Sequence, residues 1–164
     1  MRRSLLAGPA AVAALATAAA APASTSHEGW PKIDGDLKMH KADESGEIRA
    51  TKLDKHNELL GGHGNDTIIG GNVGDVIWGD FKPSGQPATQ ADTLSGGGGR
   101  DFIYASHGTN IIDTGAGSDV VHAHFGRGQI TCHSAKTIVF LSHRSRRHYR
   151  LAGCRRISFK TLGR

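Results

Sequence analysis

Aspartate recurs in this chain with a fixed spacing and a fixed company. Asp66, Asp75, Asp92, Asp101 and Asp119 each stand two residues before an aliphatic residue, and glycines cluster just upstream of all but Asp92. An ionised aspartate offers hard oxygen ligands, and glycine lets the backbone turn with its carbonyls exposed. Carboxylates and carbonyls repeated at one spacing suit a hard divalent cation, which takes its ligands from oxygen. Other chemistries find little support. There is no G-x-S-x-G elbow, no Walker loop and no G-x-G-x-x-G fingerprint. His27-Glu28 begins a zinc-protease-like pattern, but Pro31 stands where the second histidine belongs. His122 and His124 face one way on a strand and with His107 or His133 would make a minority zinc site, yet no carboxylate or cysteine accompanies them. The chain is expected to be no enzyme.

The elements that position the aspartates follow from the period. Leu59, Ile68, Ile77, Leu94, Ile103, Ile112, Val121, Ile130 and Val139 are nine residues apart, except for a gap of seventeen between Ile77 and Leu94. The triplet after each aspartate (Thr67-Ile68-Ile69, Phe102-Ile103-Tyr104) reads as a short strand, middle residue inward and neighbours outward. One nonapeptide is then a turn plus a strand, and two make a coil. Strands this short need stacking to be stable. A flexible glycine-rich linker is the alternative, but linkers carry no buried period.

Gly61–Ile69 and Gly96–Tyr104 fit G-G-x-G-x-D-x-U-x at every fixed position, and the register runs from about Asn57 to Phe140. This pattern resembles the hemolysin-type calcium-binding (RTX) repeat family. The resemblance implies an all-β parallel β-roll with Ca2+ between turns two repeats apart, held by aspartates and turn carbonyls from both. It places Asn57, Asp75, Asp101, Asp119 and Thr137 in one row of turns, and Asp66, Asp92, Asn110 and Gly128 in the other. The implied ligands are Asp66, Asp75, Asp92, Asp101 and Asp119, with the turns of Gly62, Gly64, Gly97, Gly99, Gly115 and Gly117. Val73 and Asn110 depart from the pattern, and no unit after Ala123 has the aspartate. Two or three ions are expected, none near the C-terminal end.

The flanks complete the expected organisation. Arg2-Arg3, an apolar stretch from Leu5 to Ala20 and Ala21-Pro22-Ala23 read as a signal peptide over 1–23, leaving no transmembrane anchor after cleavage. The protein is expected to be secreted. Residues 24–56 form a flank or cap, 57–140 the β-roll and 141–164 a basic cap. Phe81–Ala91 replaces three turn residues and should loop out without shifting the register. Trp30–Leu60 is expected to hold a capping strand pair around Ile33, Leu37 and Ile48. Lys136–Ser142 and Arg156–Phe159 look like strands. In an exported chain two cysteines pair, so Cys132 and Cys154 should staple the last coil.

All 15 acidic residues lie between Glu28 and Asp119, whereas the chain from Arg127 onward is basic. That tail, with Arg144-Ser145-Arg146-Arg147 at its centre, suggests an alternative role in binding polyanions of the cell envelope. No module for specific nucleic-acid reading appears. A further alternative is an accessory remnant of an RTX toxin or protease. Once the expected signal peptide is removed, about thirty residues precede the repeats, too few for a catalytic domain.

Overall fold

The computed structural model describes residues 29–41, 43–82 and 85–160; the signal-peptide reading of 1–23 lies outside them. The chain winds as a β-solenoid of about seven coils. In order its strands are β1 (Leu37–Met39), β2 (Gly46–Arg49), β3 (Glu58–Leu60), β4 (Asp66–Ile69), β5 (Val76–Trp78), β6 (Ala91–Ser95), β7 (Gly98–Gly99), β8 (Phe102–Tyr104), β9 (Thr109–Asp113), β10 (Ala116–Gly117), β11 (Val120–Ala123), β12 (Arg127–Thr131), β13 (Ile138–Leu141), β14 (Tyr149–Ala152) and β15 (Arg156–Ser158). One turn of 3-10 helix, Ser145–Arg147, precedes β14.

All pairings are parallel and join strands one coil apart. The first face runs β1-β3-β5-β8-β11-β13-β15 and the second β14-β12-β9-β6-β4-β2. The small β7 and β10 pair with each other inside the turns, so the turns stack as the strands do. A strand of three residues makes few hydrogen bonds, but with a partner on each side its backbone groups are satisfied by the coils above and below.

The nine-residue period becomes the core. Leu59, Ile77, Ile103, Val121 and Val139 pair in register on the first face, and Ile68, Leu94, Ile112 and Ile130 on the second. All nine are buried and form one cluster. Burying each contributes roughly 1.5–3 kcal/mol. At the first coil Lys38 takes the inward register, and its Nζ donates to the Arg49 carbonyl at 2.7 Å.

The insertion leaves the register intact. Asp75 and Asp101 are hydrogen-bonded neighbours 26 residues apart, against 18 for Asp101 and Asp119. Its extra residues leave at a turn from the first face to the second.

The outer surface of the first face departs from simple inward-outward alternation. Val76, Phe102, Val120 and Phe140 point away from the core yet are buried, in a second cluster with Trp30, Ile33, Trp78, Tyr104 and Ile138. The chain before β1 crosses this face as a strap. Trp30 Nε1 donates to the Tyr104 hydroxyl at 2.8 Å, and its ring meets Trp78 edge-on at 6.1 Å. Beneath it Trp78, Tyr104, His122 and Phe140 form one stacked column, with ring centroids 4.0, 4.7 and 5.0 Å apart. Ile33 thus belongs to the strap. The expected strand pair is β1 and β2, which extend separate faces: Ile48 is buried and Leu37 exposed.

At the other end Cys132 and Cys154 form a disulfide, Cα atoms 4.9 Å apart. The two faces continue past Phe140 through β14 and β15.

Candidate metal centre

The turns place the repeat aspartates in two rows along opposite edges of the solenoid. Asn57, Asp75, Asp101, Asp119 and Thr137 enter successive strands of the first face; Asp66, Asp92, Asn110 and Gly128 do so on the second. All these aspartate side chains are buried.

One oxygen of each aspartate except Asp66 holds a backbone N–H of the coil before it. Asp75 Oδ1 accepts from Asn57 N at 2.6 Å, Asp101 Oδ1 from Asp75 N at 2.8 Å and Asp119 Oδ1 from Asp101 N at 3.2 Å. In the other row Asp92 Oδ1 accepts from Asp66 N at 3.0 Å. The sixth position is therefore a ladder rung as well as a carboxylate.

The second oxygen differs from residue to residue. Asp75 Oδ2 accepts from Gly71 N at 2.6 Å, and Asp66 Oδ2 from Gly62 N at 2.9 Å. Asp119 Oδ2 accepts from the Thr137 hydroxyl at 3.0 Å. Asp101 Oδ2 and Asp92 Oδ2 are buried with no hydrogen-bond partner. An orphaned buried acceptor costs about 1–3 kcal/mol, and more when charged. Burial, then the Asp119 and Asp75 carboxylates, push the Asp101 carboxyl up to about 9. Burial, then Asp66 and Asp80, push Asp92 up to about 6.

A cation fits this arrangement. Among the described residues no three His, Cys, Asp or Glu side chains converge as a metal cluster. An ion beside Asp101 would thus complete its shell with backbone oxygen, as calcium does and as zinc in its usual sites does not. The stacked turns bring backbone carbonyls close together. Gly97 and Gly99 have φ of 91° and 96°, and a Cβ on Gly97 would lie 2.2 Å from the Gly71 carbonyl oxygen. On Gly117 it would lie 1.5 Å from the Gly99 carbonyl oxygen. Carbonyls of one turn therefore crowd the next, and only glycine admits them. Gly115 repeats the arrangement against Gly97, and Gly64 lies equally close to the Glu44 carbonyl.

Several residues fall outside the rows. Asp113 is exposed, 2.9 Å from His133 Nε2. Asp80 is buried beside His63 at 3.5 Å, and burial raises its carboxyl. Asn110 closes its row with neutral bonds: Oδ1 accepts from Ser106 N at 3.0 Å, and Nδ2 donates to the Tyr149 hydroxyl at 3.1 Å. His122 lies in the aromatic column, and burial lowers its imidazole to about 4. His40 was not legible in the repeat pattern. It comes from the flank, and its Nδ1 lies 2.7 Å from Asp66 Oδ1.

Stacked glycine turns with a buried carboxylate ladder define a parallel β-roll. Residues 54–77 and 89–121 match the RTX calcium-binding nonapeptide repeat in four copies, a repeat that binds Ca2+. No curated protein and no solved structure matched the chain.

Proposed function

We propose that the protein is a secreted, non-enzymatic β-roll whose fold is stabilised by calcium bound between stacked turns. Asp101 carries the reading: it is fully buried, it has an orphaned oxygen, and aspartates flank it on both sides. It would share one ion with Asp75 and another with Asp119, with the turns of Gly97, Gly99, Gly115 and Gly117 completing the shells. A weaker site would join Asp66 to Asp92 beside Gly62 and Gly64. There His40 competes for Asp66, and the insertion replaces part of the turn.

Export is supported by the basic and alanine-rich N-terminal sequence and by the disulfide, which persists in oxidising compartments. Among the described residues no helix is long and apolar enough to cross a membrane.

Calcium titration of the purified mature chain tests the proposal. An ion that binds only the folded state adds about 2.7 kcal/mol at a hundredfold excess over Kd. Millimolar calcium should raise the β-sheet circular dichroism signal and the melting temperature, and chelator should reverse both. Spectra and melting indifferent to calcium would remove the proposed sites.

A further inference from the structure

The same edge that carries Asp66 and Asp92 changes character towards the C-terminal end. Its carboxylates give way to Asn110 and Gly128, and the turns there open into a cleft of about 800 Å³. The cleft is assembled from four separate stretches of chain. The insertion brings Gln86, the turn before β9 brings His107, the turn into β12 brings Phe125 and the strand's first residue Arg127, and the segment before β14 brings Arg144. Its volume is that of a small-molecule site.

The lining has one sign of charge. Among the described residues Arg127 and Arg144 make no ion pair, and no carboxylate lines the cleft. Arg127 uses one Nη2 bond, 3.2 Å to the Ala88 carbonyl, which pins the insertion over the cleft and leaves its other donors free. The sequence has no acidic side chain after Asp119. The same cleft carries an apolar surface. Phe125 is 62% exposed, and its ring is braced edge-on by His107 at 4.4 Å. Gln86 Oε1 accepts from His107 N at 3.0 Å, so the insertion also fixes the residue that braces the ring. His124 lines the same cleft, and its Nδ1 is buried without a hydrogen-bond partner.

We infer that this cleft binds an acidic oligosaccharide, whose carboxylate or sulfate pairs with Arg127 and Arg144 while a sugar face stacks on Phe125. Guanidinium recognises both anions through paired N–H donors. An exposed aromatic ring supplies a flat apolar platform with no charge of its own. The choice of a saccharide over a nucleotide, which would offer the same two features, rests on the extracellular setting proposed above. The inference narrows polyanion binding by the basic tail to one built site.

Isothermal titration of the full mature chain in excess calcium tests this, with trigalacturonate and a heparin tetrasaccharide as acidic probes. Maltotriose, inorganic sulfate and AMP are the comparison ligands, each corrected by titration into calcium buffer alone. One-to-one binding of either acidic oligosaccharide is expected. Arg127→Gln and Arg144→Gln should each weaken it about tenfold, the scale of a lost charged hydrogen bond. Phe125→Ala should weaken it as well. Arg150→Gln removes the same charge on the exposed face of β14 and should change Kd less than about twofold. All four positions are exposed, and each variant's calcium-dependent melting is recorded alongside. Three results overturn the inference: no binding of either acidic probe, equal loss in Arg150→Gln, or sulfate or AMP binding as tightly as the oligosaccharides. Absent binding with an intact calcium response sinks the cleft alone; a lost calcium response sinks the calcium reading.

Discussion

A single carboxylate, Asp101, carries two tasks on its two oxygens. Oδ1 holds the Asp75 backbone, and Oδ2 is free of any donor. Asp101→Ala should therefore remove more bound calcium per molecule than any other aspartate substitution, measured by equilibrium dialysis. Asp75→Ala and Asp119→Ala should follow, then Asp66→Ala. Asp113→Ala should be near neutral, since that side chain is exposed. Equal calcium loss in Asp101→Ala and Asp113→Ala would discard the two-row assignment. The pH dependence has a definite sign. The metal-free fold keeps Asp101 protonated up to about 9, against an ordinary value of 3.8. Between those values the folded state holds a proton that the unfolded chain has released, so stability falls as pH rises. Asp92 adds the same slope between 3.8 and about 6. Buried His122, lowered from 6.5 to about 4, contributes the opposite slope between those values, so melting of the calcium-free protein should drop clearly only from about pH 6.5 to about pH 8.5. Saturating calcium should flatten the curve, and Asp101→Asn should flatten most of it without calcium. The rows were legible in the sequence because glycine, aspartate and aliphatic residue keep one period. The division of labour between oxygens was not, since it depends on which turn N–H reaches which atom.

Among the elements, the strands inside the repeats announced themselves, whereas β14 did not. It pairs Tyr149 with Gly128, 21 positions on, so the nine-residue count had already broken. The Tyr149 hydroxyl reaches across the side-chain-free Gly128 to Asn110, a contact no periodicity encodes. The strap was also hidden. The aromatic residues beneath it share the ninth position of their repeats, but nothing local ties them to Trp30. Trp30→Ala should cost about 2 kcal/mol, read as a lower urea midpoint, through loss of its hydrogen bond and ring contacts. The disulfide closes a loop of 22 residues around β13 and β14. Reduction should cost about 3 kcal/mol in the chain-entropy model, measured by melting with and without reductant.

At the scale of the molecule, stability is shared between two unlike fasteners. Calcium is proposed for the coils bearing Asp75, Asp101 and Asp119, and the disulfide lies beyond them. In a solenoid each coil leans only on its neighbours, so the ends can respond separately. Hydrogen exchange should show the division. Chelation should speed exchange over residues 58–121, while 130–152 keep more of their protection until the disulfide is reduced. Uniform loss along the whole chain would mean that the coils melt as one cooperative unit.

The column of Trp78, Tyr104, His122 and Phe140 draws one ring from each of four consecutive coils of the first face. Its members touch only while those coils keep their spacing. Trp78 lies 4.0 Å from Tyr104, close enough for the phenol to pass its excitation to the indole. The protein thus contains its own optical gauge. Tyrosine-sensitised emission and near-ultraviolet dichroism should report, without any attached dye, whether the stack is closed at a given calcium concentration.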